Sequence, residues 1–489
     1  MSLQNHTEGV HSDFPREKLS TDTSSDLPQY VREAGSLPPS PAELRRARLR
    51  RGARILGLSL LAWTFFSVLG DDSAKDYFYT SKPDEHSMAS SPPWEKDVNV
   101  NCNTDISLGD KLSYKISTSS PKIVLYNHGP IQGRVDFVRA QDEEAKGVIG
   151  VEIAFEDDQS LFALPFGGGD DGEPRLKVCT IGDKDEPNPW GIGVCAGFHA
   201  EGYGRCLPRS HHKGGPRPSP PPPEYPVQAH ITVTLPSGPL DLQVLITLLR
   251  QFNIAIEPGV LDGVSFKGVK LATVNAPISA YGLVSNWAEL ASANAPIEGT
   301  FLVDHALKIA TANAPINANV TLSSEENPEH PTSLNLAGAN APITSFVNLR
   351  TVHPSYHSLA PDAVNGAFVV KSATAQASQY LVINEQPLNS DLHLESYTSN
   401  GPTYLELAPE FEGKFQLATT PGQKSVVQVN EDREDPSGEG RKRLVNQKSV
   451  FGFLVEGSVV WAEEGAKARR GSSQVKVGTA ADDNLLVLN

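Results

Sequence analysis

The side chains that could carry out chemistry in this chain of 489 residues do not form a catalytic set. The sequence has no Gly-x-Ser-x-Gly or His-Glu-x-x-His segment, the signatures of a hydrolase nucleophile and of a zinc protease. His211 and His212 follow Cys206, but no second ligand pair has metal-binding spacing. The glycine-rich run at residues 191–197 has the wrong length for a dinucleotide loop. We therefore expect no catalytic residue, no cofactor and no metal.

One eight-residue unit recurs four times and reads apolar-Ala-small-small-Asn-Ala-Pro-Ile. The spacings between its asparagines are 19, 19 and 27 residues, and a polar insert at residues 323–333 explains the longer one. A repeat places the same residue at equivalent points of a scaffold. If the units stack at roughly 4.8 Å, these side chains can form a hydrogen-bonded ladder. The repeat-corner residues are Asn275, Asn294, Asn313 and Asn340.

Strands must position these corners. After each corner, apolar and polar residues alternate, which predicts a strand with one buried face. The proline ends a strand or forms a corner, because it lacks an amide donor. We expect a mainly β fold, a β-solenoid or closely related stacked sheet, and a meander of antiparallel hairpins is the alternative. Pairing between residues about nineteen apart would distinguish the two.

Fainter copies extend the pattern in both directions. Upstream, Asn127 and Pro130 precede an alternating run, and downstream Asn400 to Pro402 separates two such runs. Further strands are expected at residues 148–155, 227–235, 425–429, 449–461 and 474–477. We therefore predict one repetitive β domain over residues 99–489, with a Pro-rich loop at 214–226 and a charged loop at 430–443.

The amino-terminal region has a different composition. Residues 1–54 are rich in Ser, Pro and mixed charge, which predicts a disordered tail. An uncharged stretch from Ile55 to Gly70 follows six arginines, and residues 71–98 form a linker. Sixteen helical residues span about 24 Å, short of a hydrocarbon core of about 30 Å. With snorkelling arginines, we expect one transmembrane helix at residues 55–70; a cleaved signal and a buried helix are the alternatives.

Positive charge before the apolar stretch predicts the topology. The tail should be cytosolic, and the β domain should lie outside the cytosol as part of a single-pass membrane protein. The net charge of the chain is −16, of which residues 1–54 contribute +2 and residues 55–489 contribute −18. An acidic domain argues against nucleic acid as a partner.

Two kinds of covalent modification follow from that topology. Four cysteines allow up to two disulfides, and pairing of Cys179 with Cys195 or Cys206 is the most local choice; four free thiols are the alternative. Of two Asn-x-Ser/Thr sequences, Asn5 lies in the tail and Asn319 in the third repeat. Strand alternation points Asn319 outward, so we predict a glycan there and none on Asn5. The candidate disulfide residues are Cys102, Cys179, Cys195 and Cys206.

The recurring Ala-Asn-Ala-Pro-Ile corners, the run Phe-Glu-Gly-Lys-Phe-Gln-Leu-Ala-Thr-Thr-Pro-Gly and the basic-apolar amino terminus resemble uncharacterised, adhesin-like repeat proteins of mushroom-forming fungi. The resemblance covers residues 227–489 well, and residues 55–70 and 111–138 loosely. It implies a repetitive β domain at a membrane or cell surface, and it transfers no functional residue.

Two function classes follow. The first is a non-enzymatic surface protein that binds a cell-wall polysaccharide, another surface protein or its own copies. The second is a carbohydrate-active β-helix enzyme, which needs two converging carboxylates. One carboxylate occurs among the four outward residues after the corners, so we favour the first class. These residues are Ser279, Glu298, Asn317 and Thr344.

Overall fold

Every regular element that the structure describes is a β-strand. The computed structural model describes residues 98–107, 109–129, 131–140, 147–156, 175–183, 189–197, 227–326, 328–352, 364–431, 433–450, 453–462 and 472–489. The strands are β1 (Val98–Ile106), β2 (Lys111–Ser117), β3 (Lys122–His128), β4 (Ile131–Arg139), β5 (Val148–Phe155), β6 (Arg175–Asp183), β7 (Gly191–Gly197), β8 (Val227–Leu235), β9 (Leu240–Leu248), β10 (Phe252–Ile256), β11 (Val264–Ala272), β12 (Ile278–Ser292), β13 (Ile297–Thr311), β14 (Ile316–Glu325), β15 (Thr332–Gly338), β16 (Ile343–Val352), β17 (Ala367–Thr374), β18 (Gln379–Glu385), β19 (Asp391–Thr398), β20 (Thr403–Leu407), β21 (Gly413–Ala418), β22 (Ser425–Val429), β23 (Lys442–Val450), β24 (Leu454–Ala462), β25 (Ser473–Thr479) and β26 (Asn484–Leu488).

Hydrogen bonding arranges the strands in two runs, which we call sheet A and sheet B. Both β12 and β13 take part in both sheets, the first half of each strand in A and the second half in B. Sheet A has the order β2, β5, β8, β4, β10, β12, β13, β14, β16, β18, β20, β26, β22. Sheet B has the order β1, β6, β7, β3, β9, β11, β12, β13, β15, β17, β19, β25, β21, β24, β23.

One turn of the chain contributes a strand to each sheet, and we call such a turn a coil. The repeated coils stack in parallel. Ile278 pairs with Ile297, and Ile297 pairs with Ile316, each nineteen residues further along the chain. Ile316 then pairs with Ile343, across the polar insert. This pairing of equivalent residues on successive coils is solenoid geometry, whereas a hairpin meander would pair neighbouring antiparallel strands. Parallel pairing between successive coils continues from β10 to β20 in sheet A and from β9 to β19 in sheet B.

The core lies between the two sheets. The isoleucines that follow the corners are buried on sheet A, and the apolar residues that begin each unit are buried on sheet B in the same cluster. Complete burial of each such side chain contributes about 1.5–3 kcal/mol relative to exposure. The inward rows are Ile278, Ile297, Ile316 and Ile343 on sheet A, and Leu271, Leu290, Ile309 and Leu336 on sheet B.

The small residues of the repeat close the corners. Thr273 Oγ1 donates to the carbonyl of Ala276 over 2.6 Å, and the Ala295 amide donates to Ser292 Oγ over 3.1 Å. Thr311 Oγ1 donates to the Ala314 carbonyl and also accepts from the Ala314 amide. These hydroxyl groups replace backbone partners that the chain loses where it leaves a strand. A small polar residue two positions before the asparagine therefore has a structural role.

Both ends of the stack contain a coil that is out of chain order. The coil β3–β4 lies between β7–β8 and β9–β10. The coil β25–β26 lies between β19–β20 and β21–β22. Antiparallel strands then cover the ends: β5 and β2 on sheet A, β6 and β1 at one end of sheet B, and β24 and β23 at the other.

The predicted transmembrane helix and single-pass topology are corrected. Residues 55–70 lie outside the described residues, as do the predicted tail at residues 1–54, residues 71–97 of the linker and the Pro-rich loop at residues 214–226. Within the described residues, no helix is long and apolar enough to cross a membrane. The physical reason is already present in the sequence, because a helix of sixteen residues spans about 24 Å, less than a hydrocarbon core of about 30 Å.

Candidate binding surface on sheet A

The outward face of sheet A carries side chains in rows that run across the coils. The predicted outward residues Ser279, Glu298, Asn317 and Thr344 occupy one row in register, and Asn317 is exposed. The row continues beyond the clear repeats into Tyr380 and Tyr404. Strand alternation places all of these residues on one face, about 4.8 Å from row neighbour to row neighbour. The surface is therefore polar at one end of the row and aromatic at the other.

Three aromatic rings form the centre of this surface. The rings of Tyr380 and Tyr404 stack with centroids 4.6 Å apart and planes 9° from parallel. The Phe346 ring meets the Tyr380 ring at 62°, with centroids 6.0 Å apart. Phe346 and Tyr380 are each 38% exposed, which is high for large aromatic side chains. Tyr380 and Tyr404 lie in the row of Ser279, and Phe346 lies in the adjacent outward row of the same face. We call these three contacting rings the aromatic row.

A polar group fixes one end of the aromatic row. Tyr404 donates its hydroxyl to Glu406 Oε2 over 2.7 Å, and Asn489 donates to the other oxygen of the same carboxylate. Desolvation raises the pKa of Tyr404, and its hydrogen bond to Glu406 and the negative charge there raise it further. The phenol therefore stays protonated and remains a hydrogen-bond donor at physiological pH.

A second polar group lies at the other end of the row. Ser279 Oγ donates to Glu298 Oε1 over 3.0 Å across adjacent coils. Desolvation raises the pKa of Tyr281, and the neighbouring Glu298 adds to the rise. Hydroxyl, amide and carboxylate groups thus share the face of sheet A with the aromatic row, which is the mixture that recognises polar ligands with apolar faces.

The two carboxylates nearest the ends of this surface, Glu298 and Glu406, are not arranged as a hydrolytic pair. Glu298 is on β13 and Glu406 is on β20, with β14, β16 and β18 between them. Four strand spacings of about 4.8 Å separate their backbones by about 19 Å. A glycosidase needs two carboxyl groups within roughly 5–9.5 Å. These two residues therefore cannot act together on one glycosidic bond.

The four corner asparagines lie beside this surface in a hydrogen-bonded ladder. Asn294 Nδ2 donates to Asn275 Oδ1 over 2.7 Å, and Asn313 Nδ2 donates to Asn294 Oδ1 over 2.6 Å. Asn340 Nδ2 donates to Asn313 Oδ1 over 2.7 Å. The asparagines satisfy one another along the stack, so their role in the structure is to join coils.

Asn319 lies on β14 in the second outward row of sheet A and is exposed, next to Phe346 on β16. Its glycosylation stays a prediction. The contrast with Asn5 depended on a topology that is now corrected, and Asn5 lies outside the described residues.

The outward face of sheet B is different. Its central row alternates in charge, and Lys270 forms an ion pair with Glu289 at 3.2 Å. The same row continues through Asn335 and, two coils further on, reaches Glu395. Glu395 forms another ion pair with Lys476 on the next coil, at 3.5 Å. Charges that are paired within the chain offer little to a partner, and exposed pairs of this kind contribute about 0–1 kcal/mol each. Sheet A is therefore the better candidate surface.

The cysteines tie down one end of the stack. Cys102 on β1 is bonded to Cys179 on β6, directly opposite in an antiparallel pair. The local pairing that we expected for Cys179 is wrong, because strand pairing brings distant cysteines together. Cys195 is also disulfide-bonded, and Cys206 lies outside the described residues.

No group of three or more potential metal ligands occurs in the part of the chain that the structure describes. His211 and His212 lie outside that part.

The aromatic row was not predicted from the sequence. Tyr380 and Tyr404 each occupy the second position after a corner, equivalent to Ser279, but the corners before them have lost the Asn-Ala-Pro-Ile motif. Alignment of Gln379-Tyr380 with Thr403-Tyr404, each followed by Leu, would have located the row.

Comparisons with known proteins add little to this geometry. No protein-family model matches the chain, and no curated protein matches it. Among solved structures, the chain is similar to a crystal structure from Clostridium sporogenes that is described as a "putative cell adhesion protein". The match covers 80% of this chain and 99% of that chain, at 6% identity and a TM-score of 0.15. So low a score carries no argument about function. The resemblance to fungal surface proteins stays a prediction.

Proposed function

We propose that this chain is a non-enzymatic, adhesin-like binding protein whose sheet A face attaches to an extended polymer, with cell-wall polysaccharide as the first candidate. The observation that carries the proposal is the aromatic row, three contacting rings on successive coils of a parallel stack, with hydroxyl, amide and carboxylate groups on the same face. Sugars present apolar C–H faces together with hydroxyl groups, so this mixture suits them.

The regular stack supports an extended ligand over a small molecule. Rows of side chains repeat from coil to coil over much of sheet A, and a polymer can use several rows at once. Each contact can then be weak, because binding at neighbouring positions raises the effective concentration of the next contact. Two of the three rings, Phe346 and Tyr380, are exposed on the surface, whereas small-molecule sites usually bury most of the ligand in a concave pocket.

The test is sedimentation of the purified chain with insoluble chitin, β-glucan and cellulose. We expect binding to at least one of these, and Phe346→Ala/Tyr380→Ala should weaken it about tenfold, which corresponds to about 1.4 kcal/mol. Leu444→Ala is the matched control, because it removes an exposed apolar side chain (48% exposed) from β23, away from sheet A. It should leave binding unchanged.

Two results would contradict the proposal. One is a wild-type chain that binds none of the polymers. The other is a double variant that binds as well as the wild type. Release of soluble sugar from any of the polymers would instead favour the carbohydrate-active enzyme.

A further inference from the structure

The end strand β22 presents an open edge on sheet A. Among the strands that the structure describes, β22 pairs only with β26. The Lys424 carbonyl accepts from the Asn484 amide over 2.9 Å, and the Asn430 amide donates to the Leu488 carbonyl over 3.0 Å. Even-numbered residues of β22 therefore direct their backbone groups toward β26. By alternation, the N–H and C=O groups of Ser425, Val427 and Val429 point away from it.

This edge lacks the lysines that protect two of the other end strands, β2 and β23. Proteins commonly place lysine on edge strands to prevent pairing with other chains. The end strand β2 carries Lys111 and Lys115, and β23 carries Lys442 and Lys448. In contrast, β22 has the sequence Ser-Val-Val-Gln-Val, without a charge, and Val426 is 45% exposed.

We propose that two copies of the chain pair antiparallel through β22, with the two Val427 residues facing each other across a twofold axis. In this register Ser425 faces the partner's Val429, and Val426 faces the partner's Gln428. The three residues with free backbone groups then form three hydrogen-bonded pairs, about six hydrogen bonds in total. An edge whose free residues are symmetric about its centre is self-complementary, which a twofold interface requires.

Charge favours the antiparallel arrangement over a parallel one. Lys424 precedes β22 and Glu431 follows it closely, and both are exposed. Antiparallel pairing brings the lysine end of one copy to the glutamate end of the other, whereas parallel pairing would place lysine beside lysine. A second copy thus fits the flanking charges, and the neutral strand between them adds no repulsion.

Pairing would continue sheet A from one copy into the next. Two aromatic rows would then lie on one connected sheet, which increases avidity for a polymer without any new contact to it. The inference adds a self-association site to the proposed function, and it does not depend on which ligand sheet A binds.

The experiment measures the mass of the full chain by sedimentation over increasing concentration, without polymer. We expect the wild type to shift from one chain to two. Val427→Pro should abolish the shift, because proline removes an amide that points away from β26 and leaves the intramolecular ladder intact. A thermal unfolding curve of the variant checks that it folds.

Two further variants test the register and do not touch the core. Val426→Lys/Gln428→Lys places like charges opposite each other across the twofold axis and should weaken association at least tenfold. Val426→Lys/Gln428→Glu places opposite charges there and should associate at least as well as the wild type. A wild-type chain that stays monomeric at millimolar concentration, or equal association of these two variants, would overturn the proposal. The monomeric variants should still bind the polymer through the aromatic row and lose only the avidity that pairing adds, so the two proposals fail separately.

Discussion

The Trp287 ring lies over Gly268 on the neighbouring strand of sheet B. A methyl group on residue 268 would lie only 2.0 Å from Trp287 Cζ2. Tyr397 covers Gly478 in the same way further along the sheet, 2.8 Å from such a methyl group to Cδ1. An aromatic ring over a strand glycine covers backbone that would otherwise be exposed. Both glycines are therefore required by the ring beside them.

We expect Gly268→Ala to displace the Trp287 ring and to lower the free energy of unfolding by about 1–3 kcal/mol, the usual cost of overpacking. Thermal unfolding and tryptophan fluorescence measure the two effects. In a Trp287→Ala background the methyl group has room, so the same substitution should cost much less. Equal costs in both backgrounds would show that the ring does not determine the effect.

The asparagine ladder predicts a dependence on position. Asn313 bonds to neighbours on both sides, whereas Asn340 has one ladder bond among the described residues. Each lost bond costs about 0.5–1.5 kcal/mol. Asn313→Ala should therefore lower the free energy of unfolding about twice as much as Asn340→Ala, as measured in urea. Equal losses would indicate that the corner backbone matters and the ladder does not.

The charged loop predicted at residues 430–443 ends at residue 441, because β23 begins at Lys442, and it has a buried centre. The Asp435 side chain is 2% exposed and lies 2.9 Å from Arg441 Nη2, and it also accepts hydrogen bonds from Ser437. Burial raises the pKa of Asp435, but the hydrogen bonds from Arg441 and Ser437 outweigh burial and hold it well below its usual value. A lowered folded-state pKa stabilises the fold above the unfolded value of about 3.9. This stability is lost as pH falls through the folded value.

We expect Asp435→Asn to lower the free energy of unfolding by about 3 kcal/mol at neutral pH, because it leaves Arg441 without its main partner. The variant should also lose less stability than the wild type between about pH 4 and pH 2. Acid unfolding curves measure both effects. Glu439→Gln is the control, because Glu439 is an exposed partner of the same arginine at 3.6 Å and should cost less than about 1 kcal/mol. Parallel acid curves for wild type and Asp435→Asn would contradict the prediction.

The disulfide between Cys102 and Cys179 should hold β1 against β6. Non-reducing peptide mapping should recover these two residues in one linked peptide. Cys102→Ser/Cys179→Ser should lower the free energy of unfolding by about 2–4 kcal/mol, and it leaves no free thiol to exchange with Cys195. A linked peptide that joins Cys179 to Cys195 would contradict the strand register at this end.

The strands were predictable because alternation is a local property. The bounds of β5, β8 and β22 match the expected residues, and β8 shows the period of two clearly in the sequence. The single strand expected at residues 449–461 is wrong, because β23 ends at Val450 and β24 begins at Leu454. Asn127 also occupies a corner as expected: it is buried, and its Oδ1 accepts from the Arg250 amide on the next coil. The repeat likewise indicated the parallel register of the central coils, because stacking requires equivalent residues to meet.

The order of the coils and the candidate site were not predictable in this way. Which coil lies between which others depends on contacts between residues far apart in the chain, and no spacing encodes them. Beyond the fourth repeat, the inward isoleucine position becomes Gln379, whose side chain is buried and bonds to Ser396 and to the Tyr397 carbonyl. Because this inward position is polar, the repeat cannot be recognised there from the apolar pattern. The outward position of Tyr380, the next residue, was therefore not recognised either.

The position of the coil β25–β26 has a consequence for the order of events during synthesis. When Val429 leaves the ribosome, β19–β20 and β21–β22 are both complete, but the layer that separates them has not yet been translated. The native pairing of those two coils with β25–β26 can therefore form only after residues 473–488 have been synthesised. Until then, the strand edges that pair with β25–β26 lack their native partner. A translation pause before Ser473 would prolong the exposure of these edges to chaperones and to other nascent chains.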